Sequence, residues 1–220
     1  MIFIIFGAHR MLNDVSQILL SSKVNVVMTG CKLLLRPISQ CELTAQYLAW
    51  LNDAEINKYM AVRWVKQTLE TVVKYINCLR SKSGCELFGI FLKSNGDHIG
   101  GVSLNEYDVH NGIVSCGWMI GDASNHRRGY GVEAVILCLN YIFSDSRIRR
   151  VYVTVIADNI KSRHTIEKVG FQREGILRQH NKLASDEICD FYYYGMLKEE
   201  WQVNREKFRD ILEVAHYEKY

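Results

Sequence analysis

Proline and long apolar runs are scarce in this chain. A single proline, Pro37, stands among 220 residues, and no repeat or low-complexity tract interrupts the sequence. The apolar run Met1–Phe6 lacks a basic leading segment and a small-residue cleavage site, and it is far shorter than the roughly 20 residues that span a bilayer. The sequence therefore predicts neither export nor membrane insertion.

The seven cysteines lack the close spacing of a metal or dithiol site. They lie at wide, irregular intervals with no C-x-x-C pair, which is the spacing that zinc sites and dithiol centres favour. An odd count without a secretory signal is typical of a reducing compartment. We expect reduced thiols, no bound metal and a cytoplasmic location. The cysteines are Cys31, Cys41, Cys78, Cys85, Cys116, Cys138 and Cys189.

An excess of charge of one sign is also missing. The 27 basic and 24 acidic side chains leave a formal net charge of +3, and they are spread along the whole chain. Nucleic-acid-binding proteins concentrate positive charge on one surface. We therefore expect no nucleic-acid partner.

Length and hydrophobic content, at 48%, fit one substantial domain. We place it at residues 31–201, after an N-terminal extension over 1–30 and before a helical tail over 202–220. The patterns indicate an α+β arrangement around one sheet. Their order is a strand ending at Pro37, a helix from the capping box Ser39–Glu42, a helix over 67–79, strands over 87–92, 99–104 and 113–120, a long apolar helix, a strand over 151–156, a helix over 159–169, and strands over 171–180 and 188–197.

The most informative segment is the glycine turn at the start of the long apolar helix. It reads His126-Arg127-Arg128-Gly129-Tyr130-Gly131 and follows a strand directly. Glycine lets a backbone turn sharply and approach a ligand closely, and the first N–H groups of a helix attract phosphate oxygens. Two arginines add positive charge. The segment fits a phosphate-binding turn, although a simple strand-to-helix turn has the same pattern.

With this turn, the chain resembles the GNAT superfamily of acetyl-CoA-dependent N-acetyltransferases, and within it the bacterial ribosomal-protein N-terminal acetyltransferases. The similarity runs from about residue 32 to residue 201. The resemblance implies a mixed, mostly antiparallel sheet that is flanked by helices and splayed between its fourth and fifth strands. The segments that carry it are His126–Ala134, Ala157–Ser162, Glu167–Phe171 and Glu174–Arg178.

By this resemblance the acetyl donor is acetyl-CoA, held largely by backbone groups. Trp118, Met119 and Asn159 also have a plainer interpretation, as core side chains and a helix cap. The implied donor-binding residues are Trp118, Met119 and Ile120 along the pantetheine arm, His126, Arg127, Arg128, Gly129, Tyr130, Gly131 and Val132 around the pyrophosphate, and Asn159 near the thiol.

The resemblance also implies a proton donor and exposes three departures from the family pattern. Ser162 corresponds to the serine proposed to protonate the departing thiolate, which requires a hydroxyl near the sulfur. His126 stands where the family usually has Arg or Gln, Ile166 where many members have a tyrosine acid, and Ser115 where a glutamate base is often found.

The general base is left open among acidic and imidazole side chains. The candidates by register are Glu106, Asp108, Glu174, His180 and Asp190. Asp190 is the preferred one because strand alternation directs every second side chain of Ile188–Tyr194 toward one face. A salt-bridged or solvated edge residue is its alternative interpretation.

Together these observations predict an enzyme that moves acetyl from acetyl-CoA to a primary amine by direct attack in a ternary complex. No cysteine is placed for nucleophilic work, so no acyl-enzyme is expected. The acceptor is a small molecule or a peptide: a protein N-terminus, a nucleotide-linked amino sugar or a polyamine. We expect a monomer or a homodimer. The competing hypothesis for the function is a non-catalytic acyl-CoA-binding sensor or assembly module.

Overall fold

A computed structural model of the chain describes Ser22 and residues 24–219. The apolar run Met1–Phe6 lies outside the described residues. Within them, no helix combines the length and the hydrophobicity needed to cross a membrane.

The described residues form one sheet of nine strands, in the order β7-β8-β6-β5-β4-β3-β2-β1-β9. Neighbouring strands are antiparallel except for β5 and β6, which are parallel. A mixed, mostly antiparallel sheet was expected, and it is confirmed. The strands are β1 (Val26–Thr29), β2 (Leu33–Pro37), β3 (Glu86–Leu92), β4 (His98–Asp108), β5 (Ile113–Ile120), β6 (Arg150–Ile156), β7 (Gln172–Lys182), β8 (Ile188–Leu197) and β9 (His216–Lys219).

Seven α-helices connect or flank these strands within the described part of the chain. The capping box Ser39–Glu42 closes a short 3-10 turn instead of the first α-helix, so the predicted start of that helix was too early. Thr44 caps it instead, because its hydroxyl accepts a hydrogen bond from the Tyr47 N–H. The helices are α1 (Ala45–Asn52), α2 (Ala54–Asn57), α3 (Leu69–Ser81), α4 (Tyr130–Ile142), α5 (Ile160–Val169), α6 (Lys198–Asn204) and α7 (Arg209–Leu212).

Both ends of the described chain contribute strands to one edge of the sheet. β1 falls within the predicted N-terminal extension, and it pairs with β2 on one side and with β9 on the other. β9 falls within the predicted helical tail, which thus holds a strand as well as helices. β5, expected to be the fourth strand, is the fifth because β1 precedes the others.

The sheet separates two hydrophobic cores. We call the side that packs against α4 and α5 the α4 face, and the side that packs against α1 and α3 the α3 face. Strand alternation sends Val114 and Cys116 of β5 to the α4 face and Met119 to the α3 face. β5 therefore contributes buried side chains to the hydrophobic cores on both faces of the sheet.

β5 and β6 stay paired for only a short distance. Their register joins Ile113 to Arg150, Val114 to Val151 and Ser115 to Tyr152, and the pairing ends there. Because the strands are parallel, both carboxyl ends reach the same edge of the sheet, where α4 follows β5 and α5 follows β6. The unpaired halves of the two strands form the sides of a gap.

Candidate active site

A cleft of about 820 Å³ occupies this gap. The unpaired halves of β5 and β6 line it, from Cys116 to Ile120 and from Val153 to Val155. On the α4 face, the turn before α4 and one side of α5 form what we call the α4–α5 wall (Asn125–Val132 and Ile160–Lys168). On the α3 face, the segment Glu55–Met60 forms the α2 wall. The cleft is thus lined from both faces of the sheet.

The turn before α4 has the backbone conformation that the glycine pattern predicts. Arg127 and Gly129 both lie in the left-handed region, with φ of 61° and 84°. Gly129 is the N-cap of α4, and no side chain caps this helix. The first N–H groups of a helix have no intrahelical acceptor, and Gly129 to Val132 line the cleft. The helix start therefore offers hydrogen-bond donors and a partial positive charge to a ligand.

Gly131 is not required by the protein around it. A Cβ built there would meet Trp118 Nε1 at 3.5 Å, an ordinary contact, and its φ is not in the left-handed region. Glycine in a helix costs about 0.5–1 kcal/mol relative to alanine. Since packing does not explain the missing side chain, the space above Gly131 belongs to the cleft.

The basic side chains of the turn take different directions. A ring nitrogen of His126, Nε2, lies 2.9 Å from the carbonyl oxygen of Ile120, which ties the turn to the end of β5. Arg127 lines the cleft. The Arg128 guanidinium donates instead to the carbonyl of Ser124 at 3.0 Å, and Arg128 is not among the lining residues. The structure therefore does not bring the Arg128 side chain to the predicted site.

The start of α5 brings Asn159 and Ser162 together at the cleft. Asn159 caps α5, because its Oδ1 accepts from the Ser162 N–H at 3.2 Å. The Ser162 hydroxyl is half-buried and makes no hydrogen bond within the described part of the chain. Ile166, one turn further, is fully buried in the core. The tyrosine position of the family is thus filled with apolar packing. Of the two hydroxyl residues of α5 that line the cleft, Thr165 donates to the carbonyl of Lys161 at 3.0 Å, which leaves the Ser162 hydroxyl available.

The predicted residues of β5 also reach the cleft. Trp118, Met119 and Ile120 line it in succession, and Met119 at the same time packs against the α1–α3 core. Core packing and cleft lining are therefore not alternatives at this position.

Asp190, the preferred base, does not line the cleft. Its Oδ1 accepts a hydrogen bond of 2.8 Å from the backbone N–H of Gln179. The register of β7 and β8 shifts between Leu177 and Asn181, and Gln179 has a φ of 55°. The carboxylate satisfies a backbone donor that this bulge removes from the ladder, so the predicted catalytic role of Asp190 finds no support in its position.

The other four base candidates also lie outside the cleft. Glu106 is exposed on β4. The rest have partners elsewhere: Asp108 accepts from Asn111, Glu174 pairs with Arg150, and the His180 ring stacks on Phe191 with 5.4 Å between centroids.

Two carboxylates that sequence reasoning missed do line the cleft, Glu55 and Asp158. Glu55 belongs to the α2 wall. Asp53 caps α2, because its Oδ1 accepts hydrogen bonds from the backbone N–H groups of Glu55 and Ile56. An aspartate before a short helical turn signals such a cap. Nothing in the local pattern indicates that this turn meets the end of β5 in space.

Asp158 has a neighbouring thiol. Burial, and next the hydrogen bond with Asp158, raise the pKa of Cys189 to about 11, so the thiol is protonated at neutral pH. Asp158, Glu187 and Cys189 place one potential ligand atom each within 4.8 Å of the others. A protonated thiol serves Asp158 as a hydrogen-bond donor.

Comparison with known proteins identifies the family. The model of the Acetyltransferase (GNAT) domain matches residues 32–172, more than half of the chain. The uncharacterized N-acetyltransferase p20 of Bacillus licheniformis is 28% identical over 167 residues, covering 74% of this chain and 90% of p20.

Two solved structures show the same fold. The spermidine N-acetyltransferase from Vibrio cholerae in complex with CoA and spermine has a TM-score of 0.68 at 19% identity, covering 78% of this chain and 98% of that one. RimL, a ribosomal L7/L12 alpha-N-protein acetyltransferase in complex with CoA, also has a TM-score of 0.68 at 19% identity, covering 77% and 96%. The chain belongs to the GNAT family of N-acetyltransferases.

Proposed function

We propose that the chain transfers acetyl from acetyl-CoA directly to a primary amine, with both substrates bound in the cleft at once. The observation that carries the proposal is the start of α4. Gly131 lies there beside main-chain N–H donors that line the cleft, and packing does not require a glycine at this position. Because the cleft is lined from both faces of the sheet, two substrates can enter it from opposite sides.

The donor binds at the α4–α5 wall. The N–H groups from Arg127 to Val132 hold its pyrophosphate, as a helix start does for an anion. The pantetheine arm runs along Trp118–Ile120, in the part of β5 that is not paired with β6. Asn159, which caps α5 through Oδ1, offers its amide nitrogen to the arm.

The amine attacks the thioester carbonyl, which forms the C–N bond and places the negative charge on the carbonyl oxygen. Backbone N–H groups near Met119 stabilise that oxyanion. The intermediate collapses with cleavage of the C–S bond. Ser162 gives its proton to the departing thiolate and takes one from the amine nitrogen, which becomes the neutral amide nitrogen. The ammonium group of the acceptor first loses its proton to a carboxylate of the cleft, Glu55 or Asp158.

The acceptor enters along the α2 wall. Tyr59 and Glu55 both line the cleft on this side, and an aromatic ring and a carboxylate both attract an amine in its charged form. A protein N-terminus, a nucleotide-linked amino sugar and a polyamine all present such a group. Seven free cysteines are consistent with a reducing, cytoplasmic setting.

Release of free thiol from acetyl-CoA, measured with a panel of these three acceptor types, tests the proposal. Turnover on at least one acceptor, with acetylated product found by mass spectrometry, is the expected result. Tight binding of acetyl-CoA with no turnover on any acceptor would favour a non-catalytic acyl-CoA-binding module instead.

A further inference from the structure

A smaller cavity, of about 340 Å³, lies beside the α2 wall. Among the described residues, those that line it include two cations and two amides but no carboxylate. None of them lines the cleft, so this cavity is separate from the site described above. We call it the Arg63 pocket, and it is lined by Asn52, Asn57, Arg63, Trp64, Val65 and Lys66.

The Arg63 pocket adjoins the cleft. Arg63 lies in a 3-10 turn, Ala61–Trp64, that follows the α2 wall directly, and its Nη1 donates to the carbonyl of Met60 at 2.7 Å. Met60 itself lines the cleft. The Nη2 of Arg63 donates to the carbonyl of Lys182 at 2.7 Å, at the end of β7. The pocket therefore lies on the side of the cleft through which the acceptor is proposed to enter.

The positive charge of Arg63 is only partly compensated. Both of these hydrogen bonds go to neutral carbonyl oxygens, and within the described part of the chain its guanidinium forms no ion pair with a carboxylate. Burial lowers the pKa of Arg63, because its charged form has lost water. Lys66 adds a second, exposed cation. An anion in the pocket would supply the missing opposite charge.

The surface beside these charges narrows the class of ligand. Trp64 and Val65 are 52% and 63% exposed, and the Arg63 guanidinium lies 4.7 Å from the centroid of the Trp64 ring. Tryptophan and arginine are the residue types that most often anchor a bound polypeptide. Since two N–H groups of Arg63 already serve carbonyl oxygens, it offers less than the full donor fork that a diphosphate takes. The pocket thus fits a single carboxylate that is flanked by apolar side chains, as in an acidic peptide.

Resting on the proposed function, we infer that the Arg63 pocket, through Arg63 and Lys66, binds an acidic side chain of a peptide acceptor whose terminal amine lies in the cleft. The acceptor is then a polypeptide N-terminus with a carboxylate a short distance along its chain. A polyamine is disfavoured, because its further ammonium groups would meet two cations. The pocket acts on the choice of acceptor and does not touch the donor.

The test uses hexapeptide acceptors with free amino termini. Each carries one aspartate, placed in turn from the second to the fifth position, and is matched with a peptide that has asparagine there. Release of free thiol from saturating acetyl-CoA gives kcat/KM for each peptide with the full chain. At one position or more, wild type should prefer the aspartate peptide by about tenfold, since hydrogen bonds to charged groups contribute on that scale.

Variants of the pocket should change this preference. Arg63→Gln/Lys66→Gln should bring the ratio of kcat/KM for the two matched peptides close to one, and because the ratio is taken within one variant, a general loss of activity cancels. Lys66→Gln alone, at an exposed side chain, should lower the ratio by about a factor of two to three. Arg63→Lys, which keeps the charge, should still prefer aspartate. Lys82→Gln, at an exposed lysine outside both cavities, should keep the wild-type ratio.

Equal kcat/KM for the matched peptides at every position, or a preference that survives in the double glutamine variant, would overturn the inference. Turnover on spermidine or on a nucleotide-linked amino sugar, with none on any peptide, would also overturn it and would leave the proposed acetyl transfer standing. A chain that releases no thiol with any of these acceptors would contradict the proposed function itself, so the two failures are distinguishable.

Discussion

The two walls of the cleft are built in different ways. The α4–α5 wall presents main-chain N–H groups to the cleft, and their positions follow from one turn and the helix after it. The α2 wall presents to the cleft the side chains of a four-residue helix and of the residues that follow it, and it is held by packing against α1 and α3. Main-chain donors keep their positions through substitutions that preserve the backbone conformation, whereas side-chain contacts change with each substitution. The contrast suits a constant donor and a variable acceptor.

The largest expected effect comes from filling the space above the main-chain donors. Gly131→Leu should weaken acetyl-CoA binding by about 100-fold or more, because the side chain would enter the cleft at the proposed diphosphate position. Calorimetry measures the affinity, and thermal unfolding checks the fold. Gly175→Leu is the matched control, because a Cβ there meets nothing within 4 Å and the residue lies outside the cleft.

Gly131→Ala sharpens the same point from the opposite side. It should raise the free energy of unfolding by up to about 1 kcal/mol, since alanine is the better helix former, and still weaken donor binding. Unchanged donor affinity in both Gly131 variants would separate the α4 start from the diphosphate.

A smaller effect, confined to the chemical step, is expected at the start of α5. Ser162→Ala should lower kcat by about 100-fold, the range of a lost general acid, with the Kd for acetyl-CoA unchanged. Single-turnover kinetics measures the step. Normal turnover in this variant would remove Ser162 from the mechanism.

The α2 wall should respond in acceptor kinetics alone. Glu55→Gln should lower kcat/KM for the amine by about tenfold, and Asp158→Asn, just before α5, tests the second carboxylate of the cleft in the same way. Donor affinity should not change in either variant. If donor affinity fell along with acceptor kinetics, the division of the cleft into two walls would be wrong.

The smallest expected effect is a difference in acid stability. Burial alone would raise the pKa of Glu42, but hydrogen bonds from Arg36 and Ser39 lower it to about 2, against an ordinary value of 4.5. Because the folded-state pKa is lowered, this carboxylate stabilises the fold above about pH 4.5 and loses that contribution as the pH falls toward 2. The loss should be about 1–2 kcal/mol in urea titrations.

Glu42 lies just before α1, on the α1–α3 side of the sheet, so acid should loosen the side that carries the α2 wall. Glu42→Gln should be less stable than wild type at neutral pH, and its free energy of unfolding should change less between pH 4.5 and 2. Equal acid dependence in the two proteins would contradict this assignment.

The parts of the site that the sequence predicts are those that the backbone determines. Gly129 and Gly131 mark a turn through backbone conformation, and Asn159 caps the helix that follows it. All three line the cleft, as expected. The side chains of Arg128 and Asp190 do not line the cleft, because the direction of a side chain depends on its neighbours. The first donates to a carbonyl four residues back, and the second serves a bulge in another strand.

The α2 wall could not be predicted for a different reason. It is brought to the end of β5 by contacts between segments about 60 residues apart in the chain, and periodicity reports only local structure. Likewise, the pairing of β1 with β9 joins the two ends of the described chain, and neither short run carries a signal of its partner.

That pairing has a consequence for re-engineering the molecule. Val26 stands opposite Lys219, at the edge of the sheet on the far side of β2, β3 and β4 from the cleft. Once the residues before Val26 are removed, a short linker can therefore connect the two strands without crossing the sheet, and new termini can be opened in the exposed turn around Asn95 and Gly96. A circularly permuted chain of this kind would keep both walls intact and reverse the order in which they leave the ribosome.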